Sequence, residues 1–544
     1  MRMTNKIMQN NSLYNINNNK ILQDQLSTMM STQKKLTRPS DDPIVAIRAL
    51  RLRTSVSELT QYNDRNAKDA DAWLTVTEDA LSTASSIIGG GNGLIKQMQK
   101  AANKDLTPTD INIIMSQIKS LRDEVYATAN VDYAGRYIFT GYRTDTPLSF
   151  TKDVEKLDLS YRITEQFDIT KLDTINYTDM KDVANLSKGN FGDPAHADIV
   201  EQDVVNGDLK RLRLAYDEVS SGAIFMPRIE FAVTDNSVSP PVTTYTNFTT
   251  AAFLNDYQMV SANATYPDPD PYQKLMEWNA VSPPIAAVVF VPETGELLFT
   301  KKAFDDLKNE VASTTTEIRV TYEKNDWKEG DLRPEHYFAC ISIEKKDDGS
   351  EVEINYNPEY LTGVGNRQII EYDVGYNQRI RINTLAEDVF QHTMKRNVDD
   401  LDKAVKELME IQRIVEDMRG VLSGLSEGTP EYTLVQKQFD AAQKAYDFIR
   451  ENVHKMFENS ITVMQKALDD INVAVTDSGT RSARLDLISN RLLSQKTTFE
   501  VLRSENEDID IAEVAIKLTS TELSYNAALM ATGKIMQTSL MNFI

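Results

Sequence analysis

A single cysteine, Cys340, stands in a chain of 544 residues. One thiol excludes an intramolecular disulfide framework and any cysteine-rich zinc module. Histidine is nearly as scarce. His196, His336, His392 and His454 are far apart, none with another histidine at i+3 or i+4, so no metal site or cofactor is expected. Glycine (21) and proline (17) are too few for a collagen-like or linker-type chain. Long apolar runs are missing too. The longest uncharged stretch, 236–255, is rich in threonine and broken by Pro240 and Pro241, so it does not read as a membrane span. Behind Arg2 and Lys6 comes the asparagine-rich stretch 9–20 instead of an apolar segment, so no cleaved secretory signal is expected.

What is present is a chain that can fold. Hydrophobic residues make up 41% and charged residues 26%, enough for buried cores. The net charge of −22 argues against nucleic acid as a partner. That charge is unevenly placed. Residues 1–60 hold nine Lys/Arg against four acids, whereas 151–370 hold 21 basic and 38 acidic residues. The middle is a different kind of segment from the start.

Residues 5–37 read as a helix. Ile7, Tyr14 and Ile21 recur every seven positions, followed by Leu22, Leu26 and Met29. Arg38-Pro39-Ser40-Asp41-Asp42-Pro43 breaks it, because each proline pushes its predecessor out of the α region. Asp42 as N-cap and Pro43 at the first helical position restart a helix with Ala49, Leu52, Val56 and Leu59 on one face. Gly89 to Gly93 interrupts the helical pattern, and Thr107-Pro108 caps a further helix. From Tyr137 the period shortens. Ile285–Phe290 and Leu297–Phe299 flank Pro292–Gly295 as a hairpin, and strands are expected at 317–322 and 337–343. After Asn383 helices return. Leu401, Val405, Leu408, Val415 and Met418 lie on one that Gly420 closes; a long one opens at Gly428-Thr429-Pro430, with a break or bend at Ser478-Gly479. The last helix carries Ile511, Val514, Leu518, Tyr525, Leu529, Met536 and Leu540 on one face.

The expected fold is therefore mainly α with a β-rich insert. The N- and C-terminal helices pair in coiled-coil fashion because neither apolar stripe has local cover. The expected divisions are 1–40 and 505–544 as terminal assembly helices, 41–136 and 385–504 as two halves of a helical rod, and 137–384 as an acidic β-rich insert of one or two parts. Weak local propensity around Asn15 and Asn17–Asn19 leads to the further expectation that both terminal segments order only on assembly. Gly135 is expected at positive φ, in the corner where helix gives way to strand.

Catalytic motifs are absent: no phosphate loop, no zinc-protease helix, no nucleophile elbow. Asp268-Pro269-Asp270-Pro271 reads as an exposed turn rather than a calcium loop, and Cys340 as a core residue of a strand. An enzyme is not expected.

In order along the chain, several motifs resemble the flagellin superfamily, in particular its hook–filament junction branch. They begin with Met1-Arg2 and the Asn/Ser-rich amphipathic helix, then Thr37-Arg38-Pro39-Ser40-Asp41-Asp42-Pro43 and Ala134-Gly135-Arg136-Tyr137-Ile138-Phe139-Thr140-Gly141. Tyr372, Val374, Gly375, Ile380, Ile382 and Asn383 follow, and then Asn490-Arg491-Leu492, Glu507-Asp508-Ile509-Asp510-Ile511-Ala512-Glu513 and Ala531-Thr532-Gly533 through Leu540. The resemblance implies a structural, non-enzymatic part of the bacterial flagellum, outside the cell and joining hook to filament. It implies a ring of copies as one partner, with a hook-side junction protein, flagellin and an export chaperone on the C-terminal helix as the others. It also implies export through the flagellar type III channel without membrane insertion. A flagellin, or a non-flagellar coiled-coil scaffold or adhesin, is the alternative.

Overall fold

The computed structural model describes all residues except 1–4, 37, 41, 152–158, 170–171, 221–225, 236–241, 249–256, 262–269, 313–316, 346–350, 362–366 and 542–544. Asp268 and Pro269 therefore lie outside the described residues, while Asp270 caps a helix. The helices are α1 (Asn5–Thr32), α2 (Pro43–Thr60), α3 (Lys68–Gly89), α4 (Leu94–Ala101), α5 (Pro108–Thr128), α6 (Pro271–Ala280), α7 (Lys301–Ala312), α8 (Ala386–Val389), α9 (His392–Leu422), α10 (Pro430–Glu507) and α11 (Ile511–Met541). A π-helical segment, Gln61–Ala67, joins α2 to α3. The fold is mainly α with a β-rich middle, and the terminal helices α1 and α11 pair with each other.

The chain divides into two compact units. The smaller comprises Met1–Ala72, Glu371–Arg381 and Arg481–Ile544, and the larger Trp73–Ile370 and Ile382–Thr480.

The strands are β1 (Asp132–Tyr133), β2 (Arg136–Tyr137), β3 (Leu159–Asp168), β4 (Asp173–Asp179), β5 (Val205–Arg213), β6 (Arg228–Asp235), β7 (Val242–Asn247), β8 (Tyr257–Ser261), β9 (Ala286–Val291), β10 (Glu296–Phe299), β11 (Glu317–Lys324), β12 (Ala339–Lys345), β13 (Glu351–Tyr356), β14 (Glu371–Gly375) and β15 (Gln378–Arg381). In the larger unit a six-stranded sheet has the order β13-β12-β3-β11-β6-β7, and a five-stranded one β4-β5-β10-β9-β8. All neighbours are antiparallel except β8 and β9.

Both sheets feed one core. Tyr161, Ile163, Ile229, Phe231, Val320 and Tyr322 come from the first, Leu212, Val288, Phe290, Leu297 and Phe299 from the second, and Leu307 from α7. The other face of the five-stranded sheet is covered as well, with Leu209, Val289, Val291 and Leu298 packed with Leu275 of α6. Cover on both faces explains why the 285–291 run is continuously apolar rather than alternating. Cys340 sits buried in β12, where burial pushes its thiol well above the usual range.

Local signals set several boundaries. Asp42 Oδ1 accepts the Ile44 and Val45 amides at 3.0 and 3.1 Å to cap α2, with Pro43 at the first helical position. Thr107 and Asp110 form a capping box on α5. Gly135, at φ +76, turns β1 into β2. The glycine run does break the helix, since α3 ends on Gly89 and α4 starts at Leu94.

Three helices differ from the sequence reading. Helix α1 stops at Thr32 rather than near 37, because Gln33 turns to φ +57 and the chain then pairs with residues 507–509. Helix α9 runs two residues past Gly420. Helix α10 passes unbroken through Ser478-Gly479. One glycine costs a helix only about 1 kcal/mol, and Ser478 and Leu485 are buried on either side of it.

The 286–299 hairpin turns on Gly295, at φ +58, where an added Cβ would lie 1.9 Å from the Tyr216 carbonyl oxygen. Gly295→Ala should therefore lose roughly 1–3 kcal/mol from backbone strain alone, and more from the clash. An unchanged urea midpoint for this variant would contradict the assignment.

Candidate assembly interface

The smaller unit collects the sequence-predicted assembly residues. Helices α1 and α11 run antiparallel. Lys34 and Asp508 form an antiparallel bridge, and Gln23 Nε2 donates to Glu522 Oε1 at 3.4 Å. The covered side of α1 runs through Gln9, Ser12, Ile16, Asn19, Gln23, Leu26 and Met30, in alternating steps of three and four. On α11 it runs through Val514, Leu518, Thr521, Tyr525, Ala528 and Thr532. This is coiled-coil spacing, but four of the seven α1 positions are polar. The single chain thus already forms both helices, in contrast to the expectation that they order only on assembly. Each supplies the other's partner, across a seam that buries little.

The apolar stripe read from the sequence is mostly not that seam. Leu26 and Val514 are buried, and Met29, Leu518 and Tyr525 are half-buried. Ile7, Tyr14, Ile21, Leu22, Ile511 and Leu529 are exposed. The side chains of Met536 and Leu540 lie outside the described residues. The exposed set continues with Leu13, Ile516, Leu523 and Met530 on the same two helices, with Ile44, Ile47 and Leu50 on α2, and with Leu487, Leu493, Val501 and Leu502 on α10. Among the described residues, 18 of 25 exposed large apolar side chains belong to the smaller unit, which holds little more than a quarter of the chain. Soluble monomers rarely leave apolar surface so concentrated.

The corner joining these helices is pinned. Arg53 donates to both carboxylate oxygens of Glu507, at 2.6 and 2.8 Å. The Lys35 amide donates to the Glu507 carbonyl at 2.7 Å, Lys34 bonds Asp508, and Asn506 Nδ2 donates to the Val45 carbonyl at 3.2 Å. The Arg53 bond holds the Glu507 carboxyl below its ordinary range, as the Lys34 bond does for Asp508. Pro39 lines a hollow of about 180 Å³ at this corner, beside Leu36, Val45 and Ala49. Asp510 caps α11 through the Ala512 and Glu513 amides, at 2.9 and 3.2 Å.

Sequence reasoning passed over a second feature, the hairpin β14–β15 against the π-helical segment. Val374 and Ile380 are buried at its root. Asn66 Nδ2 donates to the Asp373 carbonyl at 2.7 Å, and the Tyr372 hydroxyl donates to Asp69. Ser489 donates to Asn63 Oδ1 at 2.6 Å, and Lys496 pairs with Asp64, lowering that carboxyl's pKa. The available signal was Val374-Gly375 followed by Asn377, a turn between short apolar stretches.

Among the described residues no group of three or more His, Cys, Asp or Glu is placed to hold a metal ion. No described helix is long and apolar enough to cross a membrane.

Residues 3–144 match the family model described as the bacterial flagellin N-terminal helical region. Flagellar hook-associated protein 3 of Escherichia coli K12 is 27% identical over 195 residues, covering 36% of this chain and 60% of that protein. Its counterpart in Salmonella typhimurium LT2 is 30% identical over 146 residues, covering 27% and 45%. The chain thus spans about half the length of the curated relatives it matches. A solved hook-associated protein-3 from Legionella pneumophila aligns with 83% of this chain and 98% of its own, at 11% identity and a TM-score of 0.26.

Proposed function

We propose that this chain, a relative of flagellar hook-associated protein 3 carrying a flagellin-type N-terminal helical region, is a structural element of the bacterial flagellum. It joins the hook, through a hook-side junction protein, to the flagellin filament. Copies assemble into a ring through α1 and α11, outside the cell, after export by the flagellar type III apparatus with a chaperone on the C-terminal helix. The observation that carries this reading is the concentration of exposed apolar side chains in the smaller unit. The seam between α1 and α11 leaves their best apolar residues outside, as expected for helices that finish their burial against other copies.

Deletion of the gene tests the role. The expected result is cells with complete hooks and no filament, with flagellin released into the medium. Filament-less cells that still carry a complete junction ring, detected with antibody to another junction component, would assign the chain to the filament itself.

A further inference from the structure

The hairpin β14–β15 ends in a two-residue turn, Tyr376-Asn377. Asn377 takes the left-handed conformation, at φ +53. Tyr376 is 86% exposed, the most exposed of the large apolar side chains described. Turn chemistry does not call for it, since such turns favour Asn, Asp and Gly. The root beneath it is fixed by buried Val374 and Ile380 and by the Asn66 and Tyr372 hydrogen bonds. A ring held out on so firm a base loses little freedom when it is buried by a partner.

The same unit carries a hollow that suits it. Arg48, Arg51 and Leu52 of α2, with Leu502, Glu505 and Asn506 of α10, line a space of about 470 Å³. Leu52 and Leu502 supply its apolar lining. Neither Arg48 nor Arg51 forms an ion pair among the described residues, so both guanidinium groups are available to the face of an aromatic ring. The Glu505 carboxylate offers an acceptor for a phenol. The exposure of Tyr376 means that it does not fill the hollow of its own chain.

We propose that Tyr376 of one copy inserts into the Arg48–Arg51–Leu52–Leu502 hollow of a neighbouring copy. The ring lies on the two leucines, an arginine stacks on its face, and its hydroxyl donates to Glu505. Knob and hole are different surfaces of one unit, so where each copy offers its knob to one neighbour and its hollow to another, the contact is heterologous and generates a ring or an open helical array. Along the continuous run of α2 and the π-helical segment, Leu52 precedes Asn66 by 14 residues, or roughly 20 Å of rise. Neighbouring copies are then staggered along their helices by a distance of that order.

The inference rests on the reading that the chain assembles, and the test separates the two. Cys340, the only cysteine, is buried, so disulfide mapping has little background. Full-length Tyr376→Cys protein is mixed with full-length Leu502→Cys protein, brought to assembling concentration and oxidised. The expected product is a disulfide-linked pair of the two variants. In parallel, Tyr376→Ala should raise the concentration needed for assembly about tenfold or more, with partial recovery in Tyr376→Phe, which keeps the ring and loses the hydroxyl. Tyr376 is solvent-facing, so these variants keep the fold. Assemblies that give no 376–502 link, or only 376–376 links, overturn the contact and leave the assembly reading intact. Unaltered assembly of Tyr376→Ala does the same. A wild-type chain that stays monomeric at every concentration overturns both.

Discussion

Asp400→Ala should destabilise the larger unit by about 3–5 kcal/mol. Asp400, on α9, accepts from Arg213 at 2.5 Å and Arg211 at 3.1 Å, both on β5. Arg211 also binds Glu296 at 2.6 Å and Asp173 at 3.3 Å, and Tyr272 donates to Glu296. The two arginine side chains are only 10% and 9% exposed. The alanine variant leaves adjacent guanidinium groups buried with one carboxylate fewer, and removing one partner of a buried ionic group costs far more than the intact group contributes. Burial opposes the charge on Asp400, but Arg211 and Arg213 outweigh it and hold the carboxyl below its ordinary range. A carboxyl with a depressed folded pKa contributes stability above its unfolded pKa, and that contribution is lost as pH falls through the folded value. Asp400→Asn should therefore narrow its deficit against the wild-type chain on acidification from pH 7 to about pH 3. Urea unfolding at both pH values reads this directly, and a constant gap would contradict the account.

Removal of residues 511–544 should abolish assembly and leave the unfolding transition of the larger unit unchanged. The deletion takes away Ile516, Leu523, Leu529 and Met530 from the exposed surface, and Val514 and Tyr525 from the seam with α1. Full burial of one such side chain contributes about 1.5–3 kcal/mol, so losing even two or three raises the assembling concentration more than a hundredfold. Sedimentation velocity across a concentration series checks it. Assembly of the truncated chain at wild-type concentration would refute the role given to α11.

How much of this was legible in the sequence follows the range of each determinant. Caps are local, so Asp42, Pro43, Thr107 and Pro108 marked their helix starts to the residue. The burial of Leu401, Val405, Leu408, Val415 and Met418 followed from period alone. No break forms at Ser478-Gly479, where packing outweighs the cost of one glycine. The seam was hidden for a different reason. Gln9, Ser12, Asn19 and Gln23 hold seam positions, and polar residues there hide the register from any hydrophobic pattern. The face that pattern did find, Ile7, Tyr14, Ile21 and Leu22, is the one this chain leaves outside. The strand order β12-β3-β11-β6 joins segments from 159 to 345, and no local signal encodes it.

Gln23 and Glu522 touch across a sequence separation of 499 residues. In equilibrium terms so long a loop is cheap to close, since each doubling of length adds only about 0.6 kcal/mol. In time the consequence is larger. In a chain synthesised from its N-terminus, α1 is made long before α11 and stays without that partner until α11 emerges. A molecule cut short anywhere before residue 511 lacks α11, and the covered side of α1 is left without that partner.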